Sequence, residues 1–244
     1  MIPQQLKAIV PDADDGYLTK VATDLNDISR VGGLNTPLRL AHFSAQVRQE
    51  AGPALEAVGE SRNYSPDALK STFSYYTNHP AEAVTDGYVR DPVTHRITRA
   101  ANEEVIANKA YANRNGNVAS GDGWRFRGRG FIQVTGRANY ADIARQYNAL
   151  YSSDPVDFAV KPELMAEFPY TLRSAVAFWV LHGLPHLADA GPTNAAVDSI
   201  TAVVNPKTDS KADRRANFAL AQNVSHPVSW TLSEAIVVAL ASVR

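Results

Sequence analysis

A mainly α-helical fold is predicted by three features. Apolar residues recur at helical spacing along most of the chain, capping residues sit just ahead of prolines or acids, and one central stretch breaks both patterns. Leu18, Val21, Leu25 and Ile28 form one apolar stripe, and Leu172, Ala175, Val176 and Trp179 form another. Thr36-Pro37, Ser65-Pro66 and Asn102-Glu103 each join a capping side chain to a proline or an acid in the first turn, so helices are expected near 37–51, 66–77 and 103–112. From Asn113 to Gly136 the chain interleaves Gly116, Gly121, Gly123, Gly128, Gly130 and Gly136 with arginines and large aromatics, and no helical period survives. That stretch is expected to be a small irregular or β element near 113–136, with Phe131–Val134 as a short strand. Helices are expected again near 137–149, 170–182, 193–204, 209–222 and 230–243.

With 244 residues and 45% apolar content, the chain can bury the core of one large domain or of two lobes sharing a cleft. Its 24 basic and 25 acidic residues nearly cancel, so no global field recruits nucleic acid or an anionic membrane, and any charge-driven binding must be local. The absence of cysteine removes disulfides, thiolate metal sites and cysteine nucleophiles. The start, Met1 to Lys7, lacks a basic segment followed by an apolar run, and Asp12, Asp14 and Asp15 follow closely, so synthesis without a signal peptide in the cytoplasm is expected. The apolar runs Ala175–Leu181 and Ala235–Ala241 are too short to span a bilayer, which needs about 20 residues.

Two carboxylates stand out. The helix opening at Thr36-Pro37 has an apolar stripe of Leu40, Phe43, Val47 and Ala51 and should stop at Gly52-Pro53, which puts Glu50 in its last turn. There Glu50 lies on the shoulder of the buried face, at the negative end of the helix dipole, an environment suited to a general acid. Glu60 follows Val58-Gly59 in an irregular stretch before the Ser65-Pro66 helix start. On these features alone, Glu50 as an exposed helix-end residue and Glu60 as a loop acid are the simpler account.

The spelling of several segments adds to this. Ala45-Gln46-Val47-Arg48-Gln49-Glu50-Ala51-Gly52, Glu60-Ser61-Arg62-Asn63-Tyr64-Ser65, and the long run from Gly121-Asp122-Gly123-Trp124 through Gly128-Arg129-Gly130-Phe131-Ile132-Gln133-Val134-Thr135-Gly136-Arg137-Ala138-Asn139-Tyr140 resemble glycoside hydrolase family 19, which includes plant chitinases and many phage endolysins. The segment from Ile200 to Arg214 is similar to the closing segment of that family. The resemblance implies a lysozyme-like bilobal helical domain with a substrate cleft over residues 1–222, leaving 223–244 as a helical extension expected to pack on it.

It also implies an inverting reaction with Glu50 as acid, Glu60 as base and Thr135 holding the attacking water. Room for that water requires carboxyls about 6.5–9.5 Å apart. Tyr64, Trp124, Gln133, Asn139, Asn205 and Arg214 are the implied substrate-binding residues. The implied partner is peptidoglycan or a chitin-like glycan, cut by a monomer without cofactor or metal. Peptidoglycan is the first expectation, chitin the second, and a non-catalytic wall-binding relative the third. Two departures from the family spelling are Gln49, where the family has histidine, and Pro53, where it has glycine.

Other chemistries are weaker. Arg125, Arg127 and Arg129 among Trp124, Phe126 and Phe131 resemble a single-stranded nucleic-acid surface, but the expectation is that the arginines brace the loop through salt bridges and the aromatics pack beneath it. Trp124 fits either a sugar platform or, preferably, a buried anchor. His182 and His186 have helical ligand spacing, yet Gly183 and Pro185 intervene and no third ligand stands out, so no metal site is expected.

Overall fold

The computed structural model describes residues 1–56 and 62–225. Among these the protein is mainly α-helical. In chain order the helices are α1 (Pro3–Ile9), α2 (Asp15–Ile28), α3 (Pro37–Ala51), α4 (Pro66–Thr72), α5 (Ser74–Asn78), α6 (Pro80–Asp86), α7 (Glu103–Ala110), α8 (Asp122–Arg125), α9 (Arg137–Leu150), α10 (Tyr170–Leu181), α11 (Leu184–Ala188), α12 (Asn194–Val204) and α13 (Lys211–Ser225). A 3-10 helix spans Pro162–Ala166, and β1 (Val89–Arg90) and β2 (Ile97–Arg99) form an antiparallel hairpin. Both apolar stripes expected from sequence are buried. Among the described residues no helix is long and apolar enough to cross a membrane.

The chain divides into two compact units, one of Met1–Glu56 with the chain from His182 on, the other of Ala57–Leu181. In the first, α13 lies along α3 and also meets α1 and α12. The reason is a buried face on each helix: Phe43, Val47 and Ala51 on α3, and Arg214, Phe218, Ala221 and Ser225 at steps of four, three and four on α13. α3 begins where the sequence says, with the Thr36 hydroxyl accepting the Arg39 N–H at 3.2 Å, and ends at Gly52, whose φ of 73° only glycine adopts freely, just before Pro53. α13 continues through Ser225, past residue 222 where the domain end was expected; the expected helix near 230–243 lies outside the described residues.

His42, on the buried side of α3, stacks on Phe218 of α13 with ring centroids 4.1 Å apart. Its Nε2 donates to the Gly191 carbonyl at 3.2 Å, and Nδ1 has no hydrogen-bond partner among the described residues. Burial pushes its pKa below the usual 6.5, against a smaller upward pull from the carbonyl. The unfolded chain therefore binds a proton at higher pH than the folded one. The stability that depends on neutral His42 is complete above about pH 6.5 and is lost as pH falls from there toward the depressed native value. Denaturant midpoints measured from pH 7.5 to 5 are expected to fall for the wild type and to fall less steeply for His42→Gln.

In the second unit, Leu69, Phe73, Tyr76, Ala83, Ile106 and Ala110 make one core of α4 to α7, and α9 packs on α10. Two sequence expectations are corrected here. The helix expected near 66–77 breaks at Phe73, which turns to extended backbone (φ −119°, ψ 121°) to bury its ring against Tyr64 and Tyr111. Phe131–Val134 is a turn, not a strand: Arg129 and Val134 close it as an isolated bridge, and Gly130 and Gln133 take positive φ to reverse the chain. The irregular element near 113–136 is present, and a hairpin not expected from sequence lies at 89–99, where every strand residue is exposed and no alternation of apolar and polar residues marks it.

Candidate active site

Glu50 sits one helical turn after Gln46 on α3, so both side chains reach the same point on α13. That point is Arg214. Its Nη2 donates to Glu50 Oε1 at 2.5 Å, its Nη1 to Gln46 Oε1 at 2.5 Å, and its Nε to Ser210 Oγ at 3.2 Å. Gln46 passes the chain on by donating from Nε2 to Thr201 Oγ1 at 3.1 Å. The Arg214 side chain is 2% exposed and that of Glu50 14%. The carboxylate is thus not alone at the negative helix end: a desolvated planar cation, itself held by three acceptors, fixes one of its oxygens. Arg214, expected to touch substrate, instead lies buried beneath Glu50. No partner of Glu50 Oε2 is seen among the described residues.

Gln49, the departure from histidine, also has a defined place. Asn217 of α13 donates to Gln49 Oε1 at 3.0 Å and accepts from Arg48 Nε at 2.8 Å, a second crosslink between α3 and α13. Asn205 ends α12, its N–H donating to the Thr201 carbonyl at 2.8 Å, and its half-buried side chain makes no hydrogen bond among the described residues.

In the second unit, three predicted residues share one turn. Gln133 Nε2 donates to the Gly130 carbonyl at 3.0 Å, Thr135 Oγ1 to the Gln133 carbonyl at 3.2 Å, and Asn139 Nδ2 reaches back from α9 to the Thr135 carbonyl at 2.8 Å. The turn rests on a rigid base. Asp122 accepts two hydrogen bonds from Arg137, at 2.9 and 2.5 Å, and further ones from the Val118 and Ala119 amides; Arg137 first, then these amides, hold its carboxyl below the usual range despite burial. Gly136, at φ 96°, passes so close to Asn115 that a Cβ would lie 2.4 Å from the asparagine Cβ. Gly136→Ala is expected to cost about 2–4 kcal/mol in denaturant unfolding, from overpacking plus a left-handed alanine.

The bracing arginines work differently from expectation. Arg129 is buried and donates to the Arg125 carbonyl at 2.7 Å and the Tyr140 hydroxyl at 3.1 Å; Arg125 donates to the Val160 carbonyl. Among the described residues carbonyls and the Tyr140 hydroxyl, not carboxylates, receive them, and Arg137 and Asp122 form an ion pair in this region. Phe126 and Phe131 are buried as expected. Trp124 is half-buried under the Arg127 guanidinium, 3.8 Å from its ring centroid, and its backbone N–H donates to Asn108 Oδ1 at 2.8 Å. Tyr64 is half-buried edge-on against Phe73, with centroids 5.3 Å apart. Glu60 lies outside the described residues.

No family model matches the chain. It is, however, 34% identical over 181 residues to a glycosyl hydrolase family 19 domain-containing protein of Haemophilus influenzae, a match covering 73% of this chain and 78% of that protein. The chain belongs to glycosyl hydrolase family 19.

Membership makes a glycoside hydrolase of the chitinase and lysozyme-like kind the coarse activity. The first unit holds a carboxylate fixed by a buried cation, and the second, by itself, a turn of neutral amides and a hydroxyl suited to uncharged sugar groups. Sequence reading missed Gln46, Ser210, Thr201 and Asn217. Gln46 carried a usable signal, its one-turn spacing from Glu50. The others carried none, because Thr201, Ser210 and Asn217 reach their partners only once the helices pack.

Proposed function

We propose that this family 19 enzyme is an endolysin-type hydrolase that cuts β-1,4 bonds of the peptidoglycan glycan by inversion, with Glu50 as general acid, Glu60 as general base and Thr135 orienting the water. The observation that carries this reading is the asymmetry of Glu50. Arg214 anchors Oε1 and thereby sets the rotamer, while Oε2 is the atom left to carry the proton to the leaving oxygen. Arg214 is then a positioning residue for the acid. Gln133 and Asn139 are proposed to bind sugar hydroxyls and acetamides, with Tyr64, Trp124 and Asn205 as further contacts. The chain is proposed to act as a monomer. The spelling Glu60-Ser61-Arg62-Asn63-Tyr64-Ser65 and that of Gly121–Tyr140 support the endolysin over the chitinase branch.

The test is digestion of purified Gram-negative peptidoglycan and of chitin oligosaccharides side by side, with products identified by mass spectrometry after borohydride reduction. Muropeptides are expected, and the reduced terminus names the bond. On any oligosaccharide that is cut, proton NMR in the first minutes is expected to show the new reducing end as the α-anomer. Chitin products alone would replace peptidoglycan with chitin, and a β-anomer would remove the inverting assignment of Glu60.

A further inference from the structure

The second unit carries an element that neither its core nor the site explains. Residues 92–100 are all exposed, Val93 at the hairpin tip to 84%, so packing does not account for the β1–β2 hairpin. It holds Arg90, His95, Arg96 and Arg99 within ten positions of a chain whose net charge is −1. Its single acid, Asp91, is occupied inside the turn, accepting the Val93 and Thr94 amides at 2.9 and 2.7 Å. The nearby acids Glu82 and Asp86 are paired with Lys109. Arg99 is tied to the Val84 and Gly87 carbonyls and braces the base. The side chains of Arg90 and Arg96 form no hydrogen bond or ion pair among the described residues, although Arg90 lies 5.5 Å from the Tyr88 ring centroid.

The position of this cationic element matters as much as its charge. Its two ends are hydrogen-bonded to two adjacent residues: the Tyr88 amide donates to the Tyr64 carbonyl at 2.9 Å, and the Ala101 amide to Asn63 Oδ1 at 3.3 Å. Asn63 and Tyr64 follow Glu60 by three and four positions, a contour of at most about 14 Å. The hairpin is therefore fastened to the segment that leads out of the proposed base.

We infer that Arg90 and Arg96 bind the free carboxylates of the peptide stems on peptidoglycan, so that the hairpin selects the charged wall polymer over neutral chitin. This rests on the peptidoglycan reading above. The glycan that the same unit is proposed to hold brings those carboxylates with it, which favours them over an anionic lipid surface. Exposed arginine–carboxylate pairs are individually weak, and two of them amount to about a three- to tenfold effect on substrate capture.

The experiment compares wild type, Arg90→Gln/Arg96→Gln and Arg90→Lys/Arg96→Lys on native sacculi, on sacculi whose carboxyls have been converted to amides with carbodiimide and ammonia, and on chitin oligosaccharides. Circular dichroism confirms that each variant is folded. On native sacculi at sub-saturating concentration the glutamine pair is expected to be about three- to tenfold slower through KM, with kcat kept and a weaker salt dependence, while the lysine pair largely retains the rate. On amidated sacculi and chitin oligosaccharides all three proteins are expected to match. Equal rates on native sacculi, or an equal loss on native and amidated sacculi, overturn the inference alone. Arginine-dependent binding to phosphatidylglycerol vesicles with unchanged sacculus hydrolysis reassigns the hairpin to a membrane and also overturns it. A wild type that cuts chitin oligosaccharides but neither form of sacculus removes the peptidoglycan reading itself.

Discussion

Glu50→Gln is expected to lower kcat on the cleaved glycan by about 10²–10⁴-fold with little change in KM, the range a positioned general acid supplies. Glutamine keeps an oxygen for Arg214 to donate to, so the α3–α13 crosslink through Gln46 and Ser210 survives and the protein should fold. What is lost is the proton on the second atom. A Glu50→Gln protein turning over within threefold of wild type would show that the acid is another group. Loss of kcat together with loss of folding would be separated by thermal unfolding, where the expected cost is only about 1–3 kcal/mol for exchanging a carboxyl acceptor for an amide.

The second large effect belongs to Arg214→Met. Removing the buried guanidinium leaves Glu50 Oε1, Gln46 Oε1 and Ser210 Oγ without their shared donor, and of these Gln46 is fully buried. Breaking a buried pair from one side costs about 3–5 kcal/mol, so a large drop in the denaturant midpoint is expected, together with a fall in kcat as the acid loses its fixed rotamer. Arg214→Lys should recover little, because a single ammonium lacks the planar fork that serves a carboxylate, an amide and a hydroxyl at once. The decisive measurement is a double-mutant cycle. If Arg214→Met and Glu50→Gln act through one contact, the double variant loses less stability than the two losses combined, by about 1 kcal/mol or more. Additive losses would mean that Arg214 supports the fold without positioning Glu50.

How much of this was legible in sequence depends on how far apart the interacting residues stand. α3 was readable almost residue by residue, because its start at Thr36-Pro37 and its stop at Gly52-Pro53 are local events. The neighbourhood of Gln133, Thr135 and Asn139 was also readable, since the three lie within seven positions and one turn joins them. The shape of that turn was not: Phe131–Val134 has the composition of a strand, and only the positive φ of Gly130 and Gln133 makes it reverse. The hairpin at 89–99 escaped notice for the opposite reason, since it buries nothing and so leaves no periodic mark.

The sequence by itself determined the mainly helical class, the bounds of α3 and the family spelling that singled out Glu50 and the 121–140 segment. Only the tertiary structure decided what surrounds Glu50. Arg214 is 164 positions away from it, and that pairing exists because two helices each bury a face against the other and bring Gln46, Glu50 and Arg214 to one desolvated point. Local propensity acts over a turn or two of chain, whereas the partner of a buried charge is chosen by whichever distant helix excludes water from it.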